Sequence, residues 1–507
     1  MGCQMDRELM ECVLQRSAAD CAEFKVQELA NILWGVAKHG GENLPPAEAG
    51  AVDTLAARAL SRNSVERMRT DELTMVVWAL GMMGRSPGEE ALDRAVECAM
   101  RQQRHLDAQA ASSLLWGCAR LGHAPSAEIV DAFVLITVQQ LQTLPEEGIY
   151  SMLSALATFG HNPGPEVLTA FELRCSEQMH SYSAEGLCNV VWGFAALGVE
   201  LEEDDFLERV AERLFERMSE LNAERVSSAL WSFHRLGHAP SAEFLDAALA
   251  QACDGAAAEV GGGAGGGDAE TEAALLEAEA DEEERGEGVV YEAAEEERRQ
   301  SNVMGGAAAA PRFHSVGSGI TLLWVCAKFG HAVSDDIFDR LVNMLQACTR
   351  PPSPRDTAKL FWSVGKLKRK LSQRSVVNLL EHSLLNQTEP VEPGVLAGLI
   401  WGLARMGVYP GTGVMDRLMQ YVFDRLDSLK PSHLAAVVWG ISTLRYSPRV
   451  KQLAALRAAA ARVKDSLSAD EWRMMRVGFT LFGASEADVA ALQPASFAKR
   501  RPSDQDE

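Results

Sequence analysis

The sequence predicts an all-α protein, a right-handed α-solenoid of about eleven helical-hairpin repeats of roughly 38 residues each. Three observations predict it. Nine of the ten tryptophans sit in one recurring phrase, first as Asn31-Ile-Leu-Trp34-Gly-Val-Ala-Lys38 and again around Trp78, Trp116, Trp192, Trp231, Trp324, Trp362, Trp401 and Trp439. Two degenerate copies centre on Ser154 and Val477, and the eleven positions lie 44, 38, 38, 38, 39, 93, 38, 39, 38 and 38 residues apart. Finally, no alternating β-branched run bounded by turn signals interrupts the pattern, so strands are not expected.

Each phrase reads as a short helix, here called the A helix, with recognisable ends. Nine residues before the Trp position stand Asp107, Ser183, Asn222, Ser315, Ser353 and Ser468. Their side-chain oxygens suit an N-cap, where orphan backbone N–H groups need acceptors. Six residues after it, nine of the eleven copies carry glycine, the residue that most readily closes a helix in the left-handed conformation. Lys368 and Arg445 are the exceptions. A second helix, the B helix, follows each glycine, opened by Pro, small polar or acidic residues as in Pro125-Ser-Ala-Glu128 and Pro240-Ser-Ala-Glu243.

A helical wheel separates the faces of the A helix. Positions −5, −2, −1, +2 and +5 from the Trp are mostly apolar, as in Leu187, Val190, Val191, Phe194 and Leu197, and form the core arc. Positions +1 and +3 are mostly small, as in Gly35 and Ala37, Gly117 and Ala119, Gly402 and Ala404, which lets neighbouring helices approach closely. Opposite the core, position +4 carries Lys38, Arg120, Arg235, Lys328, Lys366 and Arg405, with no acid in any copy. Position −3 carries Asn31, Ser113, Ser151, Asn189, Ser228 and Thr321, with Lys359 in a further copy.

Stacking puts equivalent positions in register about 8–10 Å apart, so a ladder of cations should run beside a ladder of small hydrogen-bonding groups. Two readings of these residues stand. The cations suit phosphates while Asn, Ser and Thr reach the edges of splayed bases, or the face is simply solvated. The tryptophans read as packing residues, beside the small positions of the next helix. His123, His161, His238 and His331 follow the terminating glycine and read as turn-structural, because repeat spacing is too wide for shared metal coordination.

The net charge of −23 is unevenly spread: residues 254–310 hold 16 Asp/Glu against three Arg. A Gly/Ala/Glu-rich insertion over 254–311, expected to be disordered, therefore separates an N-terminal array (1–253) from a C-terminal one (312–486) of the same solenoid. A loose tail is expected over 487–507. The ten cysteines form no CxxC pair, and Cys118 and Cys326 fall on the core arc. No Walker loop, HExxH or nucleophile–base set appears, so neither an enzyme nor a cofactor is expected. No stretch approaches the ~20 apolar residues that span a bilayer. Met1-Gly2-Cys3 lacks the downstream Ser/Thr of a myristoylation signal, and the N-terminus carries acids that a transit peptide avoids.

The phrase over residues 29–40, with its period, resembles the octotricopeptide repeats of algal organelle RNA factors. It is also similar to the helical repeats of RAP-domain, FAST-kinase-like and RNA-editing substrate-binding proteins, and the resemblance covers about residues 20–485. It implies a sequence-selective single-stranded RNA-binding protein serving organellar RNA processing, stability, editing or translation, alongside other RNA-processing proteins. By resemblance the compartment is the mitochondrion or chloroplast, with the cytoplasm as alternative. It maps RNA contacts to the polar A-helix face: Asn31, Lys38, Ser113, Arg120, Asn189, Ser228, Arg235, Thr321, Lys328, Lys359, Lys366 and Arg405. The competing function is an armadillo/HEAT-like scaffold gripping an extended acidic peptide.

Overall fold

The computed structural model describes residues 7–39, 44–202, 205–259, 315–347, 352–385 and 391–494, and every regular element among them is helical. They fall into two compact units, Met1–Glu220 with Arg235–His238, and Leu221–His234 with Ala239–Glu507. In the first, A helices run Val26–Lys38, Thr70–Met82, Ala108–Arg120, Glu146–Phe159 and Ala184–Leu197. The second unit takes most of Ala223–Arg235, then Ser315–Phe329, Pro354–Lys366, Pro393–Met406, Pro431–Thr443 and Ala469–Leu481. B helices such as Glu89–Arg101, Ala127–Gln139 and Pro165–Gln178 in the first unit, or Thr412–Asp424 and Val450–Val463 in the second, alternate with them. Each unit is thus a stack of antiparallel hairpins with A helices in one layer and B helices in the other.

The ends of the helices follow the local chemistry. Asp107, Ser183, Ser353 and Ser468 accept from backbone N–H groups three residues on, and Asn222 does the same for Arg225 N at 2.8 Å. Glycines from Gly84 to Gly483 adopt positive φ after the A helices, and the two non-glycine exceptions, Lys368 and Arg445, adopt it too at 57° each. The sequence reading did not resolve one recurring element. A three-residue 3-10 turn, as at Gln103–His105, Leu141–Thr143, Leu426–Ser428 and Lys464–Ser466, precedes many A helices. The next residue, Leu106, Leu144, Leu429 or Leu467, is buried just before the N-cap position, where an apolar side chain fixes the angle at which the chain enters the helix.

What joins one A helix to the next is the small residue at +1. A Cβ placed on Gly117 would lie 2.8 Å from the Val77 carbonyl oxygen, and one on Gly402 would lie 2.6 Å from the Phe361 carbonyl carbon. Gly193, Gly440 and Gly478 meet Leu153, Ile400 and Val438 at 2.6–2.7 Å in the same way. In every case the partner is the −1 residue of the preceding A helix, so the contact repeats in register. Gly35, in the Val26–Lys38 helix, has nothing within 4 Å.

A second contact brings six of the turns to the preceding B helix. His123 Nε2 lies 3.1 Å from Asp93, His161 Nε2 lies 2.8 Å from Asp131, and His331 Nε2 lies 3.0 Å from Asp246. At the equivalent position Tyr446 donates to Asp416 at 2.9 Å, and Arg85 and Arg369 pair with Asp53 and Asp335. His161 and His331 are therefore inter-repeat clasps, whereas His123 Nε2 lies close to Asp93 without a hydrogen bond. Among the described residues no group of three or more His, Cys, Asp or Glu is placed to hold a metal, and no helix is long and apolar enough to cross a membrane.

Two boundaries differ from expectation. Most of the insertion expected over 254–311 lies outside the described residues, but the helix before it, Ala242–Glu259, continues six residues past Cys253. The expected loose tail begins instead with a helix, Glu486–Ala491, because Ser485 and Asp488 close a reciprocal capping box.

Two outcomes follow for stability. Gly402→Val should lower the unfolding free energy by about 1–3 kcal/mol, since the added carbons meet backbone. Gly35→Ala should be neutral or stabilising by up to about 1 kcal/mol, because only helix propensity changes. Urea midpoints of the two variants check both. Burial beside Lys430 holds the His433 imidazole down at about 4. The unfolded chain protonates His433 below about pH 6.5 while the folded chain does not until about pH 4, so stability should fall across that window by at most about 3 kcal/mol. His433→Leu should flatten that part of the stability–pH curve.

Candidate nucleic-acid interface

The +4 cations sit on tryptophan rings. In the first unit Lys38 is exposed, with Nζ 5.9 Å from the Trp34 ring centroid and 4.8 Å from that of Trp78, the same position one repeat later. Arg120 is half-buried 5.7 Å from the Trp116 centroid. Arg235 is half-buried near Gly198, where an added Cβ would lie 3.6 Å from its guanidinium. In the second unit Lys328 Nζ is 5.1 Å from the Trp324 centroid and 5.8 Å from the Trp362 centroid. Exposed Lys366 and Arg405 lie 5.9 and 5.5 Å from the Trp362 and Trp401 centroids. A cation over an indole face is held weakly, by about 0.5–1 kcal/mol at exposed sites.

The −3 residues divide. Asn31 is exposed; Ser113, Ser151 and Asn189 are half-buried, and Gln109 Nε2 donates to Ser113 Oγ at 3.0 Å. Three expectations need correcting. Ser228, Thr321 and Lys359 are only 3%, 6% and 7% exposed, so they do not stand open on the face. The reason is geometric: −3 shares a flank with +1, and +1 faces the preceding repeat. Lys359 Nζ accordingly reaches back to within 3.5 Å of Thr321 Oγ1, to which it donates, and 4.8 Å from the Trp324 centroid.

The tryptophans also divide. Trp116, Trp192, Trp231 and Trp324 are buried, as a packing role requires. Trp34 is 42% exposed, and Trp78, Trp362, Trp401 and Trp439 are half-buried on the edge that carries the cations. The wheel itself held this signal. At 100° per residue the Trp position falls about 40° from +4 and 60° from −3, opposite the core arc. Indoles of successive repeats then meet. Trp78 and Trp116 centroids are 6.3 Å apart, Trp362 and Trp401 6.1 Å with planes at 23°, and Trp401 and Trp439 6.5 Å at 41°.

The second unit adds exposed cations that the sequence reading did not place in the site: Lys368, Lys370 and Arg445, just past the C-terminal ends of their A helices. None of the three makes an ion pair among the described residues. Their charge adds to that of Lys366 and Arg405 near the carbonyl ends of the A helices, where cations are also favoured by the helix dipole.

Residues 2–145 match the family model described as Tbc2 translation factor, N-terminal domain. No curated protein matches the chain. Similar solved structures include the homology model of the full-length AP-3 complex, at 10% identity and a TM-score of 0.32 over 94% of this chain and 80% of that one. Kap121p bound to Ste12p is similar at 10% identity and a TM-score of 0.24, over 96% of this chain and 56% of that one. The pentatricopeptide repeat protein PPR10 in complex with an 18-nt psaJ RNA element is similar at 12% identity and a TM-score of 0.18, over 96% and 97%. Likenesses at these values carry nothing about function.

The buried lysine gives a direct check on the packing of this edge. Lys359→Met keeps the length of the side chain and should change stability by less than about 1.5 kcal/mol. Lys359→Glu puts an anion against the face of Trp324 and should cost about 3 kcal/mol or more. Chemical denaturation of the two variants separates these outcomes.

Proposed function

We propose that the chain is a single-stranded RNA-binding repeat protein acting in organellar RNA processing, stability, editing or translation. The observation that carries this reading is the cation row at +4. It is free of acids in every copy, lies in register along the A helices of each unit, and rests on weakly restraining indoles. Phosphates spaced along a single strand fit such a row, and a body of net charge −23 would otherwise repel them. Where −3 side chains remain open, at Asn31 and partly at Ser113, Ser151 and Asn189, they supply the small donors and acceptors that read base edges. The Tbc2 translation factor match over residues 2–145 and the octotricopeptide-like phrase support the same class.

Filter binding of a random RNA pool at two salt concentrations tests the reading. Retention should enrich a motif, and log affinity should fall with log salt by about 0.7 for each phosphate held. Reversing Lys38, Arg120, Lys328, Lys366 and Arg405 to Glu should abolish retention while circular dichroism stays unchanged. No retention of RNA by the unmodified chain even at low salt overturns the proposal in favour of a protein-binding scaffold.

A further inference from the structure

In the second unit the three consecutive repeats centred on Trp362, Trp401 and Trp439 lack what a base reader needs. Their −3 positions hold Lys359, Gly398 and Ala436, all buried, so no side chain there can reach a base edge. What these repeats do present is aromatic surface. Their three indoles are half-exposed and follow one another at 6.1 and 6.5 Å, the first pair near parallel. Lys366, Lys368, Lys370, Arg405 and Arg445 stand exposed at the same ends of the helices.

We infer that this segment is a stacking platform that takes successive nucleobases on Trp362, Trp401 and Trp439 without reading their identity. The inference rests on the RNA-binding reading above and deepens it by assigning the ligand chemistry of one segment. Every base has a π-face, so stacking holds any sequence, whereas hydrogen-bond donors and acceptors discriminate. The exposed cations take the phosphates between the stacked bases, and stacking displaces Lys366 and Arg405 from the indole faces at small cost. The first unit differs, because its −3 row contains Asn31, Ser113, Ser151 and Asn189 at least partly open. Sequence selectivity therefore belongs to the first unit's repeats and sequence-indifferent grip to these three.

The test uses the full chain and two probes of equal length and charge: a single-stranded RNA oligomer, and the same oligomer with its bases removed at the positions bound by this segment. Base removal should weaken binding at least about fivefold, and Trp401→Leu should weaken the intact oligomer to a similar degree while leaving the abasic one unchanged. Trp401→Phe should restore most of the loss, which a purely structural role for the indole would not require. Replacing uracil by cytosine at those positions should change affinity less than twofold. Equal binding of intact and abasic probes by the unmodified chain overturns the platform and leaves RNA binding standing. Failure to bind either probe overturns the RNA-binding reading itself. If Trp401→Leu does not fold, the comparison of the two probes on the unmodified chain decides alone.

Discussion

At Gly117, Gly193, Gly402, Gly440 and Gly478 successive A helices meet through a glycine at +1 that lies against the −1 residue of the helix before it. Gly117 on Val77 and Gly402 on Phe361 leave no room for a methyl group, so the helices can approach only in the register that brings glycine to backbone. A repeat protein gains its stability from such nearest-neighbour contacts, since one hairpin alone cannot bury its apolar face. The clasps from His161 and His331 to the preceding B helix tie the second layer to the same register. Everything presented on the outer edge inherits its spacing from these contacts.

That inheritance explains why indoles and cations share an edge. With +1 facing the preceding helix and the core arc facing the B layer, the +4 positions and the indoles of Trp34, Trp78, Trp362, Trp401 and Trp439 are left to solvent or to one another. Lys38 and Lys328 each touch the tryptophan of their own repeat and that of the next, so charge and aromatic surface alternate along the stack. Neither interaction is strong. A cation held by about 1 kcal/mol on a ring is pre-positioned at little cost.

Much of this was legible because repetition multiplies a weak signal. Single copies of the phrase say little, but eleven of them fix the period, the N-caps at Asp107, Ser183, Ser353 and Ser468, the glycine stops and the close approach at +1. Side-chain pairings across repeats were not legible. Asp131 and His161 are 30 residues apart, and nothing local announces that they meet. The short 3-10 turns leave no periodic trace. The burial of Ser228, Thr321 and Lys359 is not legible from polarity alone, although the wheel places −3 on the flank that the preceding repeat covers. The half-exposed tryptophans are hidden for the opposite reason: a large aromatic side chain suggests packing, although the same wheel sets them opposite the core.

Single-stranded RNA is proposed to lie along the A-helix edge, with its cations and indoles. Photo-crosslinking of 4-thiouridine-substituted RNA to the intact chain, mapped by peptide mass spectrometry, tests it most directly. Crosslinks should fall in peptides carrying Trp34–Lys38, Trp116–Arg120, Trp362–Lys366 and Trp401–Arg405. Crosslinks confined to B-helix peptides, such as those of Ala127–Gln139 or Thr412–Asp424, would contradict it.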